Sequence, residues 1–146
     1  MTKFLVDRML GQTAKWLRLM GVDAEYAPEG DDKKLKEIAK SENRVILTRD
    51  KELSRYDNAL YIEDRDIDSI LNKILKEFDL EIKPLTRCSL CNTEIALIEK
   101  DSIKDEVPDG VYERNDEFWI CENCEQIYWK GTHWDKILDK IKELQE

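Results

Sequence analysis

A chain of 146 residues with 33 Asp and Glu against 24 Lys and Arg, a formal net charge of −9, has room for one ordinary domain or for a small domain with an appendage. Such an excess of acid gives little nonspecific attraction to nucleic-acid phosphate, so a nucleic-acid role requires a local basic face or bound cations. The longest apolar runs, such as 45–47 and 59–62, fall far short of the roughly 20 residues that span a bilayer, and no membrane partner is expected.

The opening MTKFLVDRMLG lacks the apolar stretch and small-residue cleavage site of a secretory signal, so a cytoplasmic location is expected. Thiols stay reduced there, which favours metal binding over disulfides as the use of the four cysteines. The charge is unevenly spread: residues 1–85 hold 16 basic and 18 acidic side chains, and residues 86–146 hold 8 and 15.

In chain order, Lys3 to Val6 reads as a short apolar strand closed by Asp7. Leu10 to Met20 has helical spacing, with Leu10, Ala14 and Leu17 on one face and Gly21 as its stop. Asp23 to Ala27 is a second strand, and a helix starting at Asp31 or Asp32 carries Leu35, Ile38 and Ala39 inward. Val45 to Thr48 is a third strand, ending at Arg49-Asp50, and Ala59 to Ile62 a fourth. Ile67, Ile70, Leu71, Ile74 and Leu75 then repeat at helical spacing to about Phe78. Short strands that are apolar almost throughout, alternating with helices, predict an α/β three-layer sandwich with a mainly parallel sheet. Pro84 marks a boundary between domains at 1–85 and 86–146. Past it, Ile95 to Ile98, Phe118 to Ile120 and Gln126 to Trp129 read as short β pieces. A helix with Ile137, Leu138, Ile141 and Leu144 inward follows them.

Cys88-Ser-Leu-Cys91 and Cys121-Glu-Asn-Cys124 each place two thiolates on one tight turn, and two such turns complete a tetrahedron around one structural Zn²⁺. A redox pair would instead follow a strand at a helix N-terminus. A segment of about 60 residues is marginal on its own core, and a structural zinc contributes on the order of 10 kcal/mol to folding. The C-terminal part is therefore expected to be a zinc ribbon. His133, the one histidine, is not needed to close that site.

Acids gather where a parallel sheet places its ligands, at the carboxyl ends of the strands. Asp7 follows the first strand, Asp31 and Asp32 open the helix after the second, Asp50 follows the third, and Glu63, Asp64 and Asp66 follow the fourth. Carboxylates crowded together stay ionised with a cation between them. Hard oxygen ligands suit Mg²⁺ or Mn²⁺, which activates a bound water and offsets charge on a phosphate under attack. That chemistry is phosphodiester hydrolysis. Each acid also has a plainer use, as a helix cap or a turn residue; Asp7 fits that use least, because the following helix starts too far away. On the first helix Gly11, Lys15 and Arg18 share a face that can meet phosphate, and Arg8 and Arg49 lie beside the acids in sequence.

Taken in order, FLVDRMLGQTAKWLRLMG, DDKKL, RVILTRDKEL, CSLC, CENC and YWKGTHW resemble the PIN-like ribonuclease domains fused to a C-terminal zinc ribbon, the family that also forms the C-terminal region of mutator-seven-type exonucleases. The resemblance spans essentially the whole chain. It implies a PIN-like sheet and divalent-metal-dependent cleavage of RNA, single-stranded in the expected case, with Asp7, Asp32 and Asp50 as ligands of Mg²⁺ or Mn²⁺. A fourth acid is expected after the fourth strand. Glu63, Asp64 and Asp66 compete for that place, and Asp64 is preferred. Asp32 is preferred to Asp31 by its distance from Leu35.

Aromatic faces stack on unpaired bases, and Trp119, Tyr128, Trp129 and Trp134 are concentrated in the ribbon, where they also serve as core. Trp129 and Trp134 flank Lys130-Gly131-Thr132-His133 and are the better RNA contacts, with Lys130 and His133 between them. The leading expectation is a metal-dependent ribonuclease with a ribbon that aids RNA binding. Its rival is a non-catalytic adaptor that binds RNA or protein through the ribbon, the acids being caps and surface charge.

Overall fold

Successive side chains of a strand point to opposite faces, and the first strand, β1 (Phe4–Val6), is buried on both. Phe4 and Val6 enter one core and Leu5 the other. The computed structural model, which describes residues 2–145, continues with α1 (Gly11–Leu19), β2 (Ala24–Tyr26), α2 (Asp32–Glu42), β3 (Val45–Thr48), β4 (Ala59–Tyr61) and α3 (Ile67–Glu77). The four strands form one sheet in the order β2-β1-β3-β4, and every pairing is parallel. Leu10, Ala14 and Leu17 of the α1 side and Ile70, Leu71 and Ile74 of α3 cover one face. Leu35 and Ala39 of α2 cover the other, with Leu5, Ile46 and Leu53. This is the α/β architecture expected from the alternating pattern.

Local signals set the element ends. Gly21, at φ +83°, stops α1 in a conformation that side chains disfavour. A Cβ there would lie 2.1 Å from the Lys83 carbonyl oxygen, so the returning chain leaves no room for one. Asp31 caps α2 by accepting from the Lys34 N–H at 3.0 Å, and Asp66 caps α3 by accepting from Ser69 N–H at 2.9 Å. The boundary expected at Pro84 falls in a packed stretch: the Lys83 N–H donates to Met20 C=O, and Leu85 is buried in the α1–α3 core.

The second sheet is antiparallel, with β5 (Ala96–Ile98), β6 (Phe118–Ile120) and β7 (Ile127–Tyr128) in the order β5-β6-β7. Between β5 and β6 the chain forms a 3-10 turn (Lys100–Ile103) and α4 (Asp109–Arg114), neither of them foreseen in the sequence. Ile103, Val107, Phe118 and Ile127 make a small core of their own there. The last helix, α5 (Thr132–Gln145), leaves the ribbon and lays Trp134, Ile137 and Ile141 into the core of α1 and α3. Lys140 fixes it from the side, 2.7 Å from Asp68 and over the Trp16 ring. No described helix is long and apolar enough to cross a membrane.

The ribbon is also tied to the edge of the parallel sheet. β2 is an edge strand, whose outer N–H and C=O groups need partners. Asn92 and Arg18 supply them. The Asn92 side-chain carbonyl accepts from the Ala24 N–H at 3.0 Å, and Arg18 Nε donates to Ala24 C=O at 2.8 Å. Arg18 also reaches the Ser89 and Leu90 carbonyls, and Asn92 Nδ2 donates to Asp23 and Glu25. Two buried polar side chains thus replace the missing neighbour strand.

Candidate active site and metal centre

In an open parallel sheet ligands bind where the strand order reverses, outside the carboxyl ends of the strands. With the order β2-β1-β3-β4 that place lies between β1 and β3. Asp7 follows β1 there and Asp50 follows β3, joined through one hydroxyl. Thr48, fully buried at the end of β3, donates to Asp7 Oδ2 at 2.7 Å and accepts from the Asp50 N–H at 2.9 Å. Asp7 makes no side-chain bond to the 3-10 turn (Arg8–Leu10) it precedes, so it does not act as a cap. Asp50 does both jobs: its Oδ1 accepts from the Glu52 and Leu53 N–H groups at 2.8 and 3.3 Å. Among the described residues, Asp7 Oδ1 and Asp50 Oδ2 are left without a hydrogen-bond partner.

Asp32 is half-buried in the first turn of α2, after β2, and Asp64 is half-buried between β4 and α3. Neighbouring strands are about 4.8 Å apart, so Asp7 and Asp50 stand past two adjacent strands, while Asp32 opens α2 beyond β2 and Asp64 lies in the loop after β4. Asp31 and Asp66 have the plainer use, since each caps a helix. Among the described residues, the acids do not form a group of three or more ligand atoms all within 4.8 Å; the four cysteines do. Ionised carboxylates repel at such range. A Mg²⁺-type ion fits this set nonetheless, because it binds through one or two carboxylates and takes its other ligands from water and phosphate.

The cysteine centre is built from two matching turns. Asn92 N–H donates to Cys88 C=O and Glu125 N–H to Cys121 C=O. Cys88 N–H donates to Thr93 C=O and Cys121 N–H to Gln126 C=O. Asn92 and Glu125, each following the second cysteine of its pair, adopt φ of +69° and +64°. The Sγ atoms of Cys88 and Cys124 are 3.5 Å apart and those of Cys91 and Cys121 3.2 Å. Tyr128 steadies one of them, its hydroxyl donating to Cys88 Sγ at 3.0 Å and accepting from Ser89 N–H. Burial pushes the Cys91 thiol up, but hydrogen bonds from Thr93 and contacts with Cys121 and Asn123 outweigh it and bring it down to about 6. A backbone bond from Gln126 lowers Cys124, but burial and the nearby Cys88 and Cys121 sulfurs push it up to about 12. Sulfurs this close cannot all ionise without a cation among them. The donor set fits a closed tetrahedral metal site and is consistent with a zinc ribbon.

A family model described as the Mut7-C RNAse domain matches residues 2–141. The chain belongs to the Mut7-C RNAse domain family. Membership gives it a ribonuclease-type function, with RNA as the class of substrate. No curated protein and no solved structure matches it.

For a Mut7-C domain the cationic and aromatic residues are as telling as the acids, and they divide. Lys15 is exposed on α1, Arg49 is half-buried beside Asp50, and Arg8 is exposed but paired with Glu29 at 3.0 Å. Lys130 and His133 are exposed, and Trp129 is half-buried against Phe118. Arg18 and Trp134 need correction. Arg18 is 7% exposed and its guanidinium is committed to the carbonyls of Ala24, Ser89 and Leu90, so it fastens the ribbon and offers no free face to RNA. Trp134, also 7% exposed, packs from α5 into the main core, which leaves little of its ring for a base. Two residues escaped the sequence reading. Thr48 carried a usable signal, a hydroxyl at a buried strand end two residues before an acid. Asn92 stands just after a CxxC pair, where a left-handed backbone favours Asn or Gly.

Proposed function

We propose that this Mut7-C domain is a divalent-metal-dependent ribonuclease, with Zn²⁺ in the cysteine centre and a ribbon that helps hold single-stranded RNA in the cytoplasm. The Thr48 bridge between Asp7 and Asp50 at the strand-order reversal carries the reading. Each acid has one oxygen held by the protein and one without a partner among the described residues, as expected of a ligand oriented in advance. Asp7 and Asp50 would hold Mg²⁺ or Mn²⁺, with Asp32 at the start of α2 and Asp64 after β4 as the further acids. When bound, such an ion supplies an activated water and offsets charge on the phosphate. Arg49 meets a flanking phosphate, and Arg8 joins it by exchanging its exposed Glu29 partner for phosphate.

Asp7→Asn and Asp50→Asn should each lower Mn²⁺-dependent cleavage of a single-stranded RNA by about 100-fold or more while melting near the wild-type temperature, since a ligand and not a packed group is lost. Wild-type turnover in both variants would defeat the mechanism. The adaptor reading draws on the acids forming no cluster of three or more ligands among the described residues. RNA binding without any Mn²⁺-dependent cleavage would favour it.

A further inference from the structure

A cavity of about 610 Å³ opens between α1, the end of β7 and the start of α5, within the range of about 300–1,000 Å³ common to small-molecule sites. Its charge is opposite to that of the chain. Lys15, Arg114 and Lys130 line it against one acid, Asp135, in a protein of net charge −9. Among the described residues none of the three cations is in a salt bridge. Three unneutralised cations on one concave wall favour an anionic ligand.

The remaining walls suit a flat ring. Tyr128 is fixed by its bonds to Ser89 and Cys88, and Trp129 by Phe118, at 6.3 Å between ring centroids. Rings held in this way lose little freedom when a base stacks on them. Gly131 keeps the space open, for a Cβ there would lie 2.9 Å from Trp129 Nε1. Asn115 and Gln126 also border the cavity, and each gives its amide N–H to a backbone carbonyl. Their side-chain oxygens have no partner among the described residues and can accept from the edge of a base.

We propose that this cavity is a nucleotide subsite, which takes one base of the RNA strand against Trp129 and Tyr128 and its phosphate against Lys15, Arg114 and Lys130. The assignment rests on the ribonuclease reading for its ligand. Lys15 lies one helical turn beyond Gly11, where α1 starts near the acids, so an RNA strand spans both places within a few nucleotides.

The zinc-loaded full chain is titrated with adenosine 5′-monophosphate, adenosine and inorganic phosphate, followed by tryptophan fluorescence. KM and kcat are measured on a short RNA with Mn²⁺. The nucleotide should bind saturably and about tenfold more tightly than either part alone. Lys15→Ala combined with Arg114→Ala, both exposed positions, should weaken it by about tenfold and raise KM by a similar factor with kcat little changed. Asp7→Asn should keep nucleotide binding while losing cleavage. Inorganic phosphate binding as tightly as the nucleotide would reduce the cavity to an anion site and overturn the proposal. So would an active enzyme whose KM and nucleotide affinity ignore Lys15 and Arg114. Saturable nucleotide binding by a chain that cleaves no RNA would uphold the subsite and sink the ribonuclease reading.

Discussion

Thr48 holds two chemically different partners with one hydroxyl, a carboxylate and a backbone N–H, and its replacement separates structure from catalysis. Thr48→Val keeps the shape but leaves the part-buried Asp50 N–H without its acceptor, a loss of about 0.5–1.5 kcal/mol. Cleavage should fall with it, and Thr48→Ser should restore both; denaturant melts and kcat measure the pair. Asp23 gives a pH signature. Burial alone would push its carboxyl up, but hydrogen bonds from Arg44 and Asn92 and the charges of Arg44 and Arg87 outweigh this and set it below the ordinary carboxylate range. A group lowered in the folded state stabilises fully above its unfolded pKa, about 3.9, and loses that contribution as pH falls through the folded value. Melting curves below about pH 4 should therefore decline less steeply for Asp23→Asn than for wild type. The places of Asp7 and Asp50 near strand ends were legible because Asp7 directly follows one apolar strand and Asp50 stands two residues past another. The Asp23 network was not, since its partners lie 21 and 69 positions away.

At the level of elements, the cysteine turns do more than build a candidate metal centre, because the first of them finishes the parallel sheet. Asn92→Gly keeps the left-handed backbone and removes the amide from Ala24, Asp23 and Glu25. It should cost about 1–3 kcal/mol and speed hydrogen exchange at the Ala24 N–H, whereas unchanged exchange there would show that the sheet edge does not depend on the turn. Gly21→Ala should cost more than about 1 kcal/mol, given the Lys83 carbonyl in its path. Strands and long helices were readable from local signals, the β-branched run at Val45, the apolar spacing from Ile67 and the stop at Gly21. The insertion between the cysteine pairs was not. Its α4 is short, and Ile103, Val107 and Val111 are spread among charges, so no periodic stripe forms. Arg18 and Trp134 were misread for a related reason, since helical spacing shows which residues share a face and not what covers it.

For the molecule as a whole, the ribbon and the α/β part share their stability. α5 starts beside the ribbon and ends in the core of α1 and α3, and Asn92 and Arg18 close the sheet edge. Stripping zinc with a chelator, or Cys88→Ser, should lower the melting temperature of the entire chain in one calorimetric transition; two separate transitions would mean independent parts. The four cysteines could be read from spacing, but their role as a clamp on the sheet depends on long-range contacts that spacing does not encode. The central claim, that the acids at the ends of β1 and β3 hold a catalytic cation, is tested most directly by anomalous diffraction from a crystal soaked in Mn²⁺. An ion about 2.1 Å from carboxylate oxygens of both Asp7 and Asp50 is the predicted result, and saturating Mn²⁺ with no ion at either carboxylate would contradict it.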